Sequence, residues 1–113
     1  NEDIYYKQNP TGNIITSVKN ISLDNPSSFE LFQNYPNPFN ASTRISWQSP
    51  VDSWQTLKVY DVLGSEVATL VNEEKPAGSY EVEFDGTGLV SGIYFYQLNT
   101  GEFIQTKKML MIK

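Results

Sequence analysis

The stretch SYEVEFD at 79–85 alternates strictly, with Tyr80, Val82 and Phe84 on one side of an extended chain and Glu81, Glu83 and Asp85 on the other. A helix would mix the two sets, so the pattern dictates a half-buried antiparallel strand. Similar short runs recur from Ser27 onward at intervals of about 10 to 12 residues, each bounded by Gly, Pro, Asn or Asp. Seven can be marked: FELFQ, TRISWQ, TLKVYD, EVATLV, SYEVEF, GIYFYQL and IQTKKMLMI. No amphipathic helix competes with them, and the expected fold is all-β, a seven-stranded antiparallel immunoglobulin-like β-sandwich. GIYFYQL is apolar or aromatic on both faces, which places it centrally in its sheet, and the Leu63-Gly64 pair turns TLKVYD into EVATLV as a hairpin. Trp47 alternates with Ile45 and is expected in the core.

At 113 residues the chain has room for one domain. Residues 1–26 show little periodicity beyond a short NIITSV run and read as a linker or the tail of a preceding domain, leaving 27–113 as the folded unit. The start at Asn1 without methionine suggests a piece of a longer protein, and the opening residues lack the pattern of a secretory signal.

Between the first two strands lies QNYPNPFN, residues 33–40. Pro36 and Pro38 lack a backbone N–H and push the residue before each of them out of the helical region, so this segment must be an extended crossover. Tyr35 and Phe39 are expected to plug into the core from either end of it, while Asn34, Asn37 and Asn40 bond nearby backbone groups.

Much chemistry is excluded. Without histidine or cysteine the chain has no Ser-His-Asp triad, imidazole or thiolate metal site, or disulfide, and no catalytic activity is expected. Glu81 and Glu83 lie about 7 Å apart by strand rise, near a glycosidase spacing, but on a solvated face that does not raise a carboxyl pKa. Asp85 and Thr87 in DGTGL offer oxygens to calcium, yet the further acids of a calcium loop are missing and a tight turn fits better; no metal or cofactor is expected. Asn20 and Asn40 match the short glycosylation acceptor pattern, a match that chance explains. A net charge of −5 argues against nucleic acid, and no apolar run reaches the length of a spanning helix, so membrane insertion is not expected. Trp54, in the loop SPVDSWQ, is the residue best placed to stack on a sugar ring, which leaves a carbohydrate-binding or structural accessory module of a secreted enzyme as the alternative function.

Charge is unevenly placed. Residues 103–113 carry Lys107, Lys108 and Lys113 and no acid, while the rest of the chain holds 13 acids against 5 bases, a net of −8 beside +3. Lysines there either protect an edge strand from pairing or present a cationic strand to a receptor, and both readings fit.

Three blocks carry a resemblance, in order: YPNPFN at 35–40, SGIYFYQL at 91–98 and KKMLMIK at 107–113, with VYDVLG and PAG between them. Together they closely resemble the type A C-terminal sorting domain of the type IX secretion system of Bacteroidota and their relatives, over roughly Phe29 to Lys113. The middle of the chain is also similar to the immunoglobulin-like domain of the flagellar hook-capping protein. The resemblance implies a delivery module at the C-terminus of a larger cargo protein, which crosses the periplasm and is recognised by the outer-membrane translocon. A surface sortase would then cleave near the domain's N-terminal boundary, within residues 20–29, leaving the cargo secreted or on the cell surface. The family's recognition elements fall on Gly92, Tyr94, Lys107, Lys108, Lys113 and the terminal strand, with Pro36, Asn37, Pro38 and Phe39 as the early motif. Ala41 stands where family sequences often have proline.

Overall fold

The computed structural model describes residues 26–113. Seven strands run β1 (Glu30–Leu31), β2 (Ser42–Ser49), β3 (Ser53–Tyr60), β4 (Glu66–Lys75), β5 (Gly78–Asp85), β6 (Gly92–Asn99) and β7 (Ile104–Met111). All pairings are antiparallel, in a three-stranded sheet ordered β1-β2-β5 and a four-stranded sheet ordered β4-β3-β6-β7. This is the sandwich the alternation implies, with β6 between β3 and β7 as its two apolar faces require. Of the linker reading of residues 1–26, residues 1–25, with the NIITSV run and Asn20, lie outside the described residues.

Period-2 patterning builds the core directly. Ile45 and Trp47 from β2, Leu57 and Val59 from β3, Tyr94, Tyr96 and Leu98 from β6, and Met109 and Met111 from β7 meet between the sheets, nearly all free of solvent contact. The Trp47 indole N–H is buried but satisfied, donating to Gln55 Oε1 at 2.8 Å, while its ring stacks on Tyr80 at 5.7 Å. Tyr94 Oη donates to the Val90 carbonyl four residues upstream at 2.7 Å, the tyrosine corner that pins the entry to β6 in immunoglobulin-like sandwiches.

The two sheet edges are treated differently. On the outer strand β4 the register with β3 shifts twice, between Leu57 and Lys58 and between Val59 and Tyr60, and its exposed residues include Glu66, Glu73 and Glu74. Bulges and charges of this kind discourage edge-to-edge pairing. The opposite edge, β7, is protected by the Pro-Asn-Pro segment.

Three expectations need correction. FELFQ forms a strand only at Glu30–Leu31, because beyond Leu31 the chain keeps isolated bonds to β2, such as Phe32 N–H to the Ser46 carbonyl at 3.0 Å, and then turns into the crossover. Trp54 is not in a loop, since β3 begins at Ser53 and Trp54 opposes Glu74 across the ladder. Tyr35 does not plug into the core: it exchanges both backbone hydrogen bonds with Arg44 and leaves its ring 80% exposed. The buried neighbour is Asn34, whose amide nitrogen donates to the Pro36 carbonyl and to Thr43 Oγ1, each at 3.1 Å. A polar side chain can be buried there because it bonds the Pro36 carbonyl and the Thr43 hydroxyl, which itself donates to the Pro36 carbonyl at 2.8 Å.

Candidate functional site

The Pro-Asn-Pro segment lies along the free edge of β7. Phe39 N–H donates to the Leu110 carbonyl at 3.0 Å, Ile112 N–H returns a bond to the Phe39 carbonyl at 2.8 Å, and Leu110 N–H donates to Asn37 Oδ1 at 3.0 Å. Higher up, Gln33 Nε2 donates to the Lys108 carbonyl at 2.8 Å. Phe39 anchors this strap: it is buried, meets Phe84 edge-on at 6.2 Å and forms a parallel bridge with Met111. Pro36 and Pro38, which have no N–H to offer, leave the bonding to Asn37 and Phe39 and are themselves exposed. The early motif and the terminal strand, joined for instance through Asn37 and Leu110, 73 residues apart, are thus one hydrogen-bonded element.

On the outer face of the four-stranded sheet, cross-strand register sets Ile93 opposite Leu110 and Phe95 opposite both Lys108 and Tyr60. Two hollows open here and share Ile93. One, of about 170 Å³, is lined by Asn37, Ile93, Lys108, Met109 and Leu110. The other, of about 470 Å³, lies between the β3–β4 hairpin and the loop entering β6, with Val62, Leu63, Leu89, Val90 and Gly92 in its wall. The hairpin is held by Asp61, whose carboxylate accepts the N–H groups of Leu63 and Ser65 at 2.9 and 3.0 Å, and by Gly64 at φ +85°. Across the loop, Lys113 N–H donates to Ser91 Oγ at 2.9 Å and Lys113 Nζ to the Thr87 carbonyl at 3.3 Å. Asp85 Oδ1 in turn accepts both the hydroxyl and the N–H of Thr87, which holds its carboxyl below the usual carboxylate range.

The residues singled out in the sequence therefore divide. Asn37, Gly92 and Lys108 line the paired hollows, and Lys113 borders them. Tyr94, though largely buried, also lines the larger hollow, and Phe39 is buried against Phe84 and Met111. Gly92, at φ +152°, would meet nothing with an added Cβ, so the backbone angle and not space calls for glycine there. Lys107 and Lys108 are neighbours in β7 and so face opposite sides of the sheet; Lys107 lies on the core side at the rim, half-buried, and is not in the groove. Trp54 is exposed on the far part of this sheet, its indole N–H bound to Asn72 Oδ1 at 2.9 Å, and makes no aromatic pair among the described residues. Glu81 is ion-paired with Arg44 at 3.2 Å on the outer face of the other sheet. Val62, Leu63 and Val90 were assigned no role from the sequence, though three exposed aliphatic residues in turn segments are a legible anomaly.

In comparison with known families, the model described as the secretion system C-terminal sorting domain matches residues 33–113. No curated protein matches the chain.

Proposed function

Because the chain belongs to the secretion system C-terminal sorting domain family and is a sorting signal for type IX secretion, we propose that the outer-membrane translocon reads the face built from β6, β7 and the Pro-Asn-Pro strap. The signal implies a cargo carried through the type IX system and across the outer membrane. The observation that carries the proposal is the joining of all three sequence blocks in one place: Asn37 and Phe39 bond Leu110, and Leu110 pairs with Ile93. In this reading Gly92, Asn37, Lys108 and Lys113 present the recognition surface, and Lys107 adds charge at its rim. Pro36, Pro38, Phe39 and Tyr94 keep it in shape. A surface sortase would then separate cargo from domain near residues 20–29, leaving the cargo in the medium or on the cell surface. Residues 27–113 form the sorting unit and 1–26 its connection to the cargo. The domain itself contributes no catalysis and acts as an address.

The 113-residue chain, fused behind a signal-peptide-bearing fluorescent protein, tests this in a type IX-competent strain and its translocon-deficient counterpart. Translocon-dependent fluorescence outside the cell is expected. Periplasmic retention of a folded fusion in both strains would overturn the reading.

A further inference from the structure

The apolar hollow between the β3–β4 hairpin and the β6 entry loop is unexplained by folding alone. Val62 is 65% exposed, Leu63 87% and Val90 75%, and with Ile93 and Leu110 they make a continuous apolar strip at one end of the sheet. Hairpin tips are ordinarily polar, and clustered aliphatic side chains in water on a sandwich end mark an interaction site. The strip is held in place by the Asp61 and Gly64 turn on one side and the tyrosine corner on the other, so binding it would cost little ordering.

Charge specifies what would cover it. Lys108 stands at one end of the strip and Lys113 at the border of the other, and neither makes an ion pair among the described residues. Asp61, the acid in the wall, has its carboxylate turned to the hairpin's own N–H groups. Pairing through backbone is closed at this end, because the strap already takes the outward groups of Leu110 and Ile112 and the Lys108 carbonyl. A partner must therefore be read by side chains. Resting on the sorting-signal assignment, we infer that this strip is the docking surface for a receptor segment with an apolar centre and flanking carboxylates, gripped mainly by Val62, Leu63 and Val90.

The same export assay tests it with Leu63→Asp, Val90→Asp and the double variant Lys108→Glu/Lys113→Glu. Ile104→Asp serves as a control, exposed on the same sheet but at its opposite end. Export of the first three is expected to fall by at least about tenfold, the loss typical of one important interface side chain. The control should be exported like the parent, and all four should unfold within a few degrees of it. Loss of export by the unvaried fusion would refute the sorting assignment itself; normal export of parent, Leu63→Asp and Val90→Asp would refute only the docking surface. Normal export of the lysine double variant would remove the acidic partner. Sedimentation of the purified chain showing a dimer abolished by Leu63→Asp would give the strip to a second copy. Binding to phosphatidylglycerol vesicles abolished by the same change would give it to a lipid surface; either result overturns the inference.

Discussion

Tyr96 shows how one side chain joins the two sheets. Its hydroxyl, fully buried, donates to the Phe32 carbonyl at 2.7 Å and accepts the Asn34 N–H at 2.8 Å. Burial pushes the phenol up to about 12, with the Asn34 N–H opposing. The neutral form is thus favoured in the folded state, and the sign follows. Above pH 10 the unfolded chain releases this proton while the folded chain keeps it, so stability present below pH 10 falls by about 2 kcal/mol as pH rises to 12. Tyr96→Phe should flatten that part of the pH profile, measured by denaturant titration, and at pH 7 should cost about 1–3 kcal/mol by orphaning its two backbone partners. Ala41 offers a second residue-scale test. At φ +72° it sits where an L side chain is strained and where proline cannot go. Ala41→Gly is expected to raise stability by up to about 1 kcal/mol, and Ala41→Pro to lower it by more than that gain.

At the scale of elements, the strap explains why the Pro-Asn-Pro segment and the last strand go together. Asn37→Ala removes the acceptor for Leu110 N–H, and the expected cost is about 1 kcal/mol, with faster amide exchange by NMR at Leu110 and at Ile112 just beyond the strand than in the rest of β7. Phe39→Ala withdraws the anchor and should cost about 3–5 kcal/mol in the same denaturant titration. Strand positions and the inward set of residues were legible because period 2 is a local property: Leu57, Val59 and Trp47 could face nowhere else once the strands existed. The resemblance likewise gave the blocks in order, and the family match supports it. The strap was not legible, because which edge a crossover lies along depends on pairings between residues 73 apart, such as Asn37 and Leu110, to which no local pattern speaks. Tyr35 was misread for a related reason. Hydrophobicity ranks the tyrosine as the buried one, but the register with Arg44 turns it outward and gives Asn34 partners inside. The groove required both sheet register and loop placement, and in sequence it left only the oddity of Val62, Leu63 and Val90 in turn segments.

Across the whole molecule, the described chain enters at one pole and ends at the other. Ser28 is bonded to Gln48 and Phe29 stacks on Phe103 at 5.1 Å, both near the end of the sandwich where β2 gives way to β3. Lys113, Val62 and Val90 sit at the opposite end, and eight-residue strands such as β2 separate the poles by roughly 25 Å. If the groove is what the translocon reads, export should not depend on what is attached ahead of the domain, because the described chain enters at the pole away from the groove. It should depend strongly on what is attached after Lys113. The expected result is that a folded fluorescent protein fused ahead of Asn1 is exported, whereas the same protein fused behind Lys113, with the signal peptide retained, stays in the periplasm. The second fusion must keep the domain's unfolding temperature within a few degrees, since the terminal strand is pinned by bonds to Asn37, Phe39 and Ser91 that a tag could otherwise disrupt. Equal export of the two fusions would place the recognised surface away from the C-terminal pole, and with it the roles assigned to Lys108, Lys113 and the hairpin tip.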